Sequence, residues 1–459
     1  MQYMTQGEID AFTPDSLPTG GLAPLELAER AMRSAGCWSG NQQMGGRWPV
    51  GCVALEITQR CNLDCTLCYL SEHSEAVKDI PLEEVFRRID LIHEHYGWNT
   101  DVQITGGDPT LRQRDELIAI VGRVRQRGMR PTLMTNGRKA TRALLETLAT
   151  EGLVDVAFHV DTTQQLGGYH SERELNALRL TYLDRAQGLP LSVMFNTTIH
   201  DGNFEEIPDV VRFFKANAGR IRTAAFHVQA ATGRGVHEKK TEITLDAVTA
   251  QIERGAGTAI NFRSSLAGHS RCNRYGLCFE VNGRLHDALD DDAFIARMQP
   301  ATAHLELDRT NRRKVAKKFL AWLAANPRYW ATVLRWTAAK TWQMKGDLMA
   351  ARGRVHTLSF LIHGFMDAGA LERERIDACV FKTMTQDGPV SMCLHNARRD
   401  SFILQPVRVQ TWAGDRYWQP LSGALSAKPG MISIPIPAQA GLKHAKGRVR
   451  QTLSLKRAR

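Results

Sequence analysis

By type and spacing, the residues best suited to chemistry are Cys61, Cys65 and Cys68, three thiols within eight residues, followed by Tyr69. At that spacing a loop, rather than one face of a helix or strand, points all three sulfurs at one centre. A structural zinc or an ordinary cubane cluster wants four protein ligands, so three thiols leave one metal position for something that is not protein. Chance places this pattern in a 459-residue chain with nine Cys on the order of 0.3% of the time, so incidental thiols explain it poorly.

A second motif lies some forty residues downstream. Residues 101–110 read Asp-Val-Gln-Ile-Thr-Gly-Gly-Asp-Pro-Thr, a strand-like run ending in two glycines and a carboxylate. Glycines there let backbone approach a ligand closely, and Asp108 has the acceptors for an ammonium group. Together, the Cys-x3-Cys-x2-Cys loop and this Gly-Gly-Asp run resemble the radical SAM superfamily. The resemblance implies a 4Fe-4S cluster on Cys61, Cys65 and Cys68, with S-adenosylmethionine chelating the fourth iron through its amino and carboxylate groups. It also implies that Gly106, Gly107 and Asp108 hold the methionine amino group, Asp standing where Glu is commoner. A reductant such as flavodoxin or ferredoxin is implied with them. Cofactor and cluster carry the radical chemistry, and protein supplies orientation and exclusion of water.

The elements that must position these residues follow in alternation. Strand-like runs at Val53–Thr58, Val102–Thr105, Pro131–Thr135, Val154–Val160, Leu191–Ile199 and Thr223–Val228 are separated by helical patterns at Leu82–Tyr96, Asp115–Arg127, Thr141–Glu151, Glu172–Ala186 and Phe204–Asn217. Six such repeats predict an α/β fold, a partial (β/α)6 parallel barrel whose function sits on loops after the strand C-termini. Those loops bring Asn136, His159, Asp161, Asn196, His227 and Gln229 to the same mouth as the Cys loop. The superfamily resemblance implies cofactor contacts from Asn136, Asp161 and Asn196; His159, His227 and Gln229 face substrate or bond internally.

Beyond residue 230 the repeat fades. Cys272 and Cys278 precede a strand and an Asn-Gly turn, and Cys379 and Cys393 flank a hairpin turning at Asp387-Gly388. Four thiols on two hairpins predict an auxiliary site, either a second 4Fe-4S cluster or a single Fe or Zn. Such hairpins look like the auxiliary-cluster domains of many radical SAM proteins. Phe365-Met366-Asp367, Glu374-Arg375, Cys379, Asp387-Gly388 and Cys393-x-x-Asn396 are similar to a C-terminal pattern in archaeal tetraether lipid synthase and its relatives. Cys37 and Cys52 read as ordinary packed thiols.

These features divide the chain into a lead-in over residues 1–50 with a helix at Pro24–Ser34, a core barrel over 51–235, and a core end with the first Cys hairpin over 236–308. A C-terminal domain over 309–425 holds a basic helical segment and the second hairpin, and a basic tail covers 426–459. Residues 309–354 carry twelve Lys or Arg against one acid, Asp347, with Trp322, Trp330, Trp336 and Trp342 interleaved. Basic amphipathic helices of this kind suit an anionic membrane surface, nucleic acid or an acidic protein. Residues 442–459 add seven Lys or Arg and no acid. An N-terminus without basic and apolar leader regions, no run of eighteen apolar residues, and an odd Cys count point to the cytoplasm, with peripheral membrane contact as an option.

The net charge of +11 suits acidic partners. The leading expectation is a radical SAM enzyme acting on a C–H bond of an anionic or lipid-like substrate. A peptide-modifying maturase, an RNA-modifying enzyme lacking any recognisable RNA-binding module, and a non-catalytic iron-sulfur scaffold are the alternatives.

Overall fold

The computed structural model describes residues 2–17, 24–34, 36, 50–235, 241–265, 268–305, 307–308, 310–412 and 414–430. Cys37 and the basic tail at 442–459 lie outside them. In chain order the elements begin with α1 (Gln6–Ala11), α2 (Pro24–Ser34), β1 (Cys52–Thr58), α3 (Leu82–Tyr96), β2 (Asp101–Gly106), α4 (Arg114–Gln126) and β3 (Arg130–Thr135). Next come α5 (Arg142–Thr150), β4 (Asp155–His159), α6 (Glu172–Ala186), β5 (Ser192–Ile199), α7 (Ile207–Ala216), β6 (Thr223–Val228) and α8 (Leu245–Ala256). After these the chain forms β7 (Asn273–Val281), β8 (Arg284–Asp287), α9 (Asp292–Thr302), α10 (Arg312–Ala325), α11 (Trp330–Gln343), α12 (Lys345–Ala350) and β9 (His356–Gly364). It continues through α13 (Arg373–Asp377), β10 (Phe381–Met384), β11 (Pro389–Ser391), α14 (Met392–Ala397), α15 (Arg399–Ile403), β12 (Val407–Thr411), β13 (Gly414–Trp418) and β14 (Leu425–Ser426).

Helix α3 shows how the pattern builds the fold. Glu83 and Glu84 suit its N-terminal dipole end, and Gly97 stops it at φ 74°, a conformation glycine adopts without a Cβ penalty. Val85, Ile89, Ile92 and Tyr96 recur at three and four residues and are buried against the sheet, each burial contributing about 1.5–3 kcal/mol. Strand β1, Cys-Val-Ala-Leu-Glu-Ile-Thr, is buried at all seven positions, as a parallel strand covered on both faces should be. A single core cluster runs from Val53 through Phe195 to Phe360 beneath helices α3 to α8.

Strands β1 to β6 pair in parallel in sequence order, as the repeats predict. Two further parallel strands extend the run to eight, β9 beside β6 and β10 beside β1. The main sheet therefore reads β11-β10-β1-β2-β3-β4-β5-β6-β9-β7-β8. It is open in its hydrogen bonding among the described residues, yet it curls enough that the rings of His363 on β9 and Phe381 on β10 lie 4.7 Å apart.

This topology corrects the expected division of the C-terminal half. Both Cys-bearing hairpins form, with turns at Asn282-Gly283 and Asp387-Gly388, but each extends an edge of the main sheet. The reason is that the exposed edges of β6 and β1 offer unpaired backbone groups that β9 and β10 satisfy. A small sheet β12-β13-β14 and a helical arm, α9 to α11, stand outside it. Phe294 stacks on Trp336 at 4.6 Å in that arm, beside buried Trp322. Met4 and Ile9 of the lead-in pack on Met366, Leu371 and Leu394 rather than on the main core. Among the described residues no helix is long and apolar enough to cross a membrane.

Candidate functional site

The loop after β1 carries the three thiols, and the loop after β2 is sewn to it. Gly107 N–H donates to Thr58 O at 2.9 Å, and Asp108 N–H donates to Arg60 O at 2.8 Å. A Cβ on Gly106, whose φ is +126°, would sit 1.9 Å from Thr58 O, and one on Gly107 would sit 2.0 Å from Arg60 O. Only glycine permits that approach, so the two motifs are one structural unit. Gly233 and Gly235 press on the other side of the loop, where added Cβ atoms would lie 2.4 Å from Cys68 O and 2.8 Å from Cys68 N. Arg234 between them pairs with Glu75 at 3.1 Å and bonds the Cys68 sulfur; burial opposes its charge, and Cys68 and Glu75 overcome that and raise its pKa.

Cys61, Cys65 and Cys68 line one wall of a cavity of about 260 Å³ at the C-terminal ends of the strands. Gly106, Gly107, Asn136, His159, Asn196, His227 and Gln229 line it too, as the alternation predicts. Asn136 Nδ2 bonds Asn62 Oδ1 at 2.6 Å and lies 4.0 Å from Cys61 Sγ. Leu63, Leu67, Met134, Val228 and Phe365 give the remaining wall an apolar character.

Two expected cofactor contacts are corrected. Asp108 is fully buried and turned from the cavity, its carboxylate accepting from Thr110 N–H (3.0 Å), Thr135 Oγ1 (2.9 Å) and Asn136 N–H (2.9 Å). Asp161, also fully buried, accepts from Thr163 N–H (3.0 Å) and Thr198 N–H (2.8 Å) and pairs with His159 Nε2 at 2.6 Å. In both cases the carboxylate caps the short helical turn that follows it, which fixes its direction. Burial alone would raise the pKa of Asp161; His159, the Thr163 hydroxyl and the Thr198 N–H outweigh it and hold it well below the carboxylate range. Burial likewise opposes charge on His159, and Asp161 overrides it, so the imidazole pKa is raised. Burial pushes His227 down to about 4, so the two cavity histidines are shifted in opposite directions, His227 toward the neutral form and His159 toward the cation.

The sequence reading passed over a buried ion pair. Arg399 of α15 reaches Glu56 on β1 at 2.6 and 2.9 Å and sits 4.7 Å from the centroid of the Tyr69 ring. Burial would raise Glu56, and Arg399 instead brings it down to about 2. A Glu inside an otherwise apolar strand was the available signal. Both side chains line the cavity, so the C-terminal lobe is latched beside the Cys loop.

Residues 55–214 match the family model described as the Radical SAM superfamily. The chain carries a radical SAM domain. Among curated proteins it is similar to a PqqA peptide cyclase of Methylobacterium sp. (strain 4-46), 26% identical over 193 residues, 39% of this chain and 47% of that one. It is also similar to a probable GTP 3′,8-cyclase of Thermoplasma volcanium, 28% identical over 169 residues, 36% of this chain and 50% of that one. The chain thus spans about half the length of the curated relatives it matches. Streptococcus suis SuiB bound to S-adenosylmethionine, a solved structure, aligns at 17% identity and a TM-score of 0.34 over 44% of this chain and 46% of that one.

The donor set fits the cluster and cofactor that a radical SAM domain implies. The three thiols form no disulfide and are partly exposed to the cavity, with the Arg234 guanidinium at Cys68. Among the described residues no three His, Cys, Asp or Glu converge as a single ion would need.

Of the four auxiliary candidates, the radical SAM domain's C-terminal extension brings together three. Cys272, Cys379 and Cys393 line one small cavity with His269, His363 and Arg375, and Arg375 Nε lies 3.1 Å from Cys272 Sγ. Cys278 is excluded. It lies within β7, six residues and roughly 20 Å along a strand from Cys272, and is fully buried in the main core. The shared cavity measures about 10 Å³, room for about one water, so a cluster there requires side-chain movement. Cys52 is a buried packed thiol, as expected.

Proposed function

We propose that the protein is a radical SAM enzyme that functionalises a C–H bond of a substrate with an apolar body and an anionic group. The observation that carries the reading is the joining of the Cys61-Cys65-Cys68 loop to Gly106-Gly107 at the wall of a strand-end cavity. When bound, the cluster and S-adenosylmethionine would supply one-electron reductive cleavage of the sulfonium and hydrogen-atom abstraction from substrate. Cys61, Cys65 and Cys68 hold the cluster, and the backbone of Gly106 and Gly107 lines the methionine end. Asn136 and Asn196 offer amide groups to the nucleoside. Asp108 and Asp161 act at one remove, Asp108 fixing the Asn136 loop and Asp161 orienting His159. His159, its imidazole pKa raised by Asp161, faces an anionic substrate group, and the apolar wall excludes water. A small electron carrier such as flavodoxin or ferredoxin supplies the reductant. Cys272, Cys379 and Cys393 hold a second iron-sulfur site in this reading, which their convergence supports.

A peptide substrate is the second reading, favoured by the similarity to proteins named PqqA peptide cyclase. The deciding experiment is anaerobic reconstitution with iron and sulfide counted in wild type and in the Cys61→Ala, Cys65→Ala, Cys68→Ala variant. Dithionite and S-adenosylmethionine are then added and 5′-deoxyadenosine is followed. The reading expects about four fewer irons in the variant and nucleoside only from wild type. Iron retained without nucleoside, with lipid and peptide substrates both offered, returns the protein to a scaffold.

A further inference from the structure

The helical arm presents an apolar face where a globular helix is normally polar. On α11 the buried positions are Val333 and Lys340, with Met344 just beyond, and they face the arm's own core and β7. Trp330, Leu334, Ala338 and Trp342 recur every four residues on another side, and Met349 of α12 continues it. Leu334, Trp342 and Met349 are 67%, 71% and 74% exposed, and Leu320 of α10 is 61% exposed. At 3.6 residues per turn this stripe spans about a third of the helix circumference, pointing away from the buried side. Exposed apolar residues scattered singly need no explanation, but a continuous stripe does.

What flanks the stripe identifies its occupant. Arg313, Lys314, Lys317 and Lys318 are exposed on α10, and Lys345 lies 3.6 Å from the centroid of the Trp342 ring. Lys340 of α11 is buried against Asp287 O and Asp290, and Arg335 faces Asp291 at 3.3 Å. Lys345 borders the apolar stripe at Trp342, and on α10 Arg313 and Lys317 share the helical face of Leu320. Trp, Leu and Met between Lys and Arg match the layered chemistry of an anionic bilayer surface, with apolar side chains in the acyl boundary and cations at the headgroups. We infer that the α10–α12 arm is a membrane-docking surface that lies on anionic lipid. It does not depend on the radical chemistry, so its failure leaves that reading untouched.

The test uses the full chain as holoprotein, with vesicles of phosphatidylcholine alone or equimolar with phosphatidylglycerol. Wild type is expected to sediment with the mixed vesicles only, and acyl-brominated lipid is expected to quench its tryptophan fluorescence. Leu334→Ser, Trp342→Ser, Met349→Ser in one chain keeps every basic residue and an unchanged melting temperature, yet partitioning falls at least about tenfold. Arg313→Gln, Lys317→Gln, Lys318→Gln weakens binding and reduces its salt dependence. Wild type left in the supernatant with both vesicles overturns the inference. So does unchanged binding of the serine variant, which would place the affinity in charge alone. A serine variant that turns a wild-type dimer into a monomer would give the face to a second copy and overturns it as well.

Discussion

Removing Arg399 leaves Glu56 buried without its counter-charge, with Gln59 Nε2 still donating to it, and the size of that effect follows from the structure. Glu56 and Arg399 are 8% and 3% exposed, so solvent screens their contact little. Depressing Glu56 from an ordinary 4.5 to about 2 corresponds to about 3 kcal/mol, at about 1.4 kcal/mol per pH unit. A carboxylate with a lowered folded pKa contributes stability that is complete above its unfolded pKa and is lost as pH falls through the folded value. The Glu56 contribution is therefore whole at pH 7 and declines between about 4.5 and about 2. Arg399→Met should cost about 3–5 kcal/mol at pH 7, because it strands a buried charge. Glu56→Gln combined with Arg399→Met should recover most of that loss. Urea denaturation of the four proteins at pH 7, followed by tryptophan fluorescence, forms the cycle. A single variant within about 1 kcal/mol of wild type, or a double variant as unstable as Arg399→Met, would refute the latch.

Gly106→Ala places a methyl group within 1.9 Å of Thr58 O, so it should prevent cluster assembly, read as iron per chain after reconstitution. Asp161→Asn removes the partner that raises His159, so the alkaline limb of 5′-deoxyadenosine formation should move to lower pH. His159 stabilises the fold below its unfolded pKa, and that contribution fades as pH rises through its raised folded value, which the same variant should abolish. Cys278→Ser should leave iron content unchanged, whereas Cys272→Ala with Cys379→Ala should lower it if those thiols hold a second cluster; equal iron in both would remove that site.

Strongly patterned elements were legible in advance. Helices α3 and α6 and strand β6 carry the predicted boundaries, because each packs a mostly buried face and residues such as Ser171, which caps α6, stop the pattern sharply. The Cys loop and Gly106-Gly107 were legible because their residue types are dictated by chemistry and close approach. Strand β9 was not, since its parallel partner β6 lies some 130 residues earlier and such pairing leaves no local mark. Asp108 and Asp161 were placed at the right strand ends and given the wrong direction. Each begins an Asp-x-Thr turn, Asp108-Pro109-Thr110 and Asp161-Thr162-Thr163, and that signature predicts a carboxylate bonded to its own loop. Cys278 was misassigned because strand spacing, unlike a loop, carries two thiols apart.

The place of β10 at the edge beside β1 sets a timetable for biosynthesis. Strand β1 leaves the ribosome with residue 58, while the strand that completes its outer edge begins at residue 381. At about 5–20 residues per second, that interval is roughly twenty to sixty seconds. Throughout it the nascent chain holds an apolar strand with one open edge next to three unligated thiols, a template for pairing with other chains. Closure of the sheet is therefore a late event, and the metal loop emerges long before the strand that covers the edge beside it.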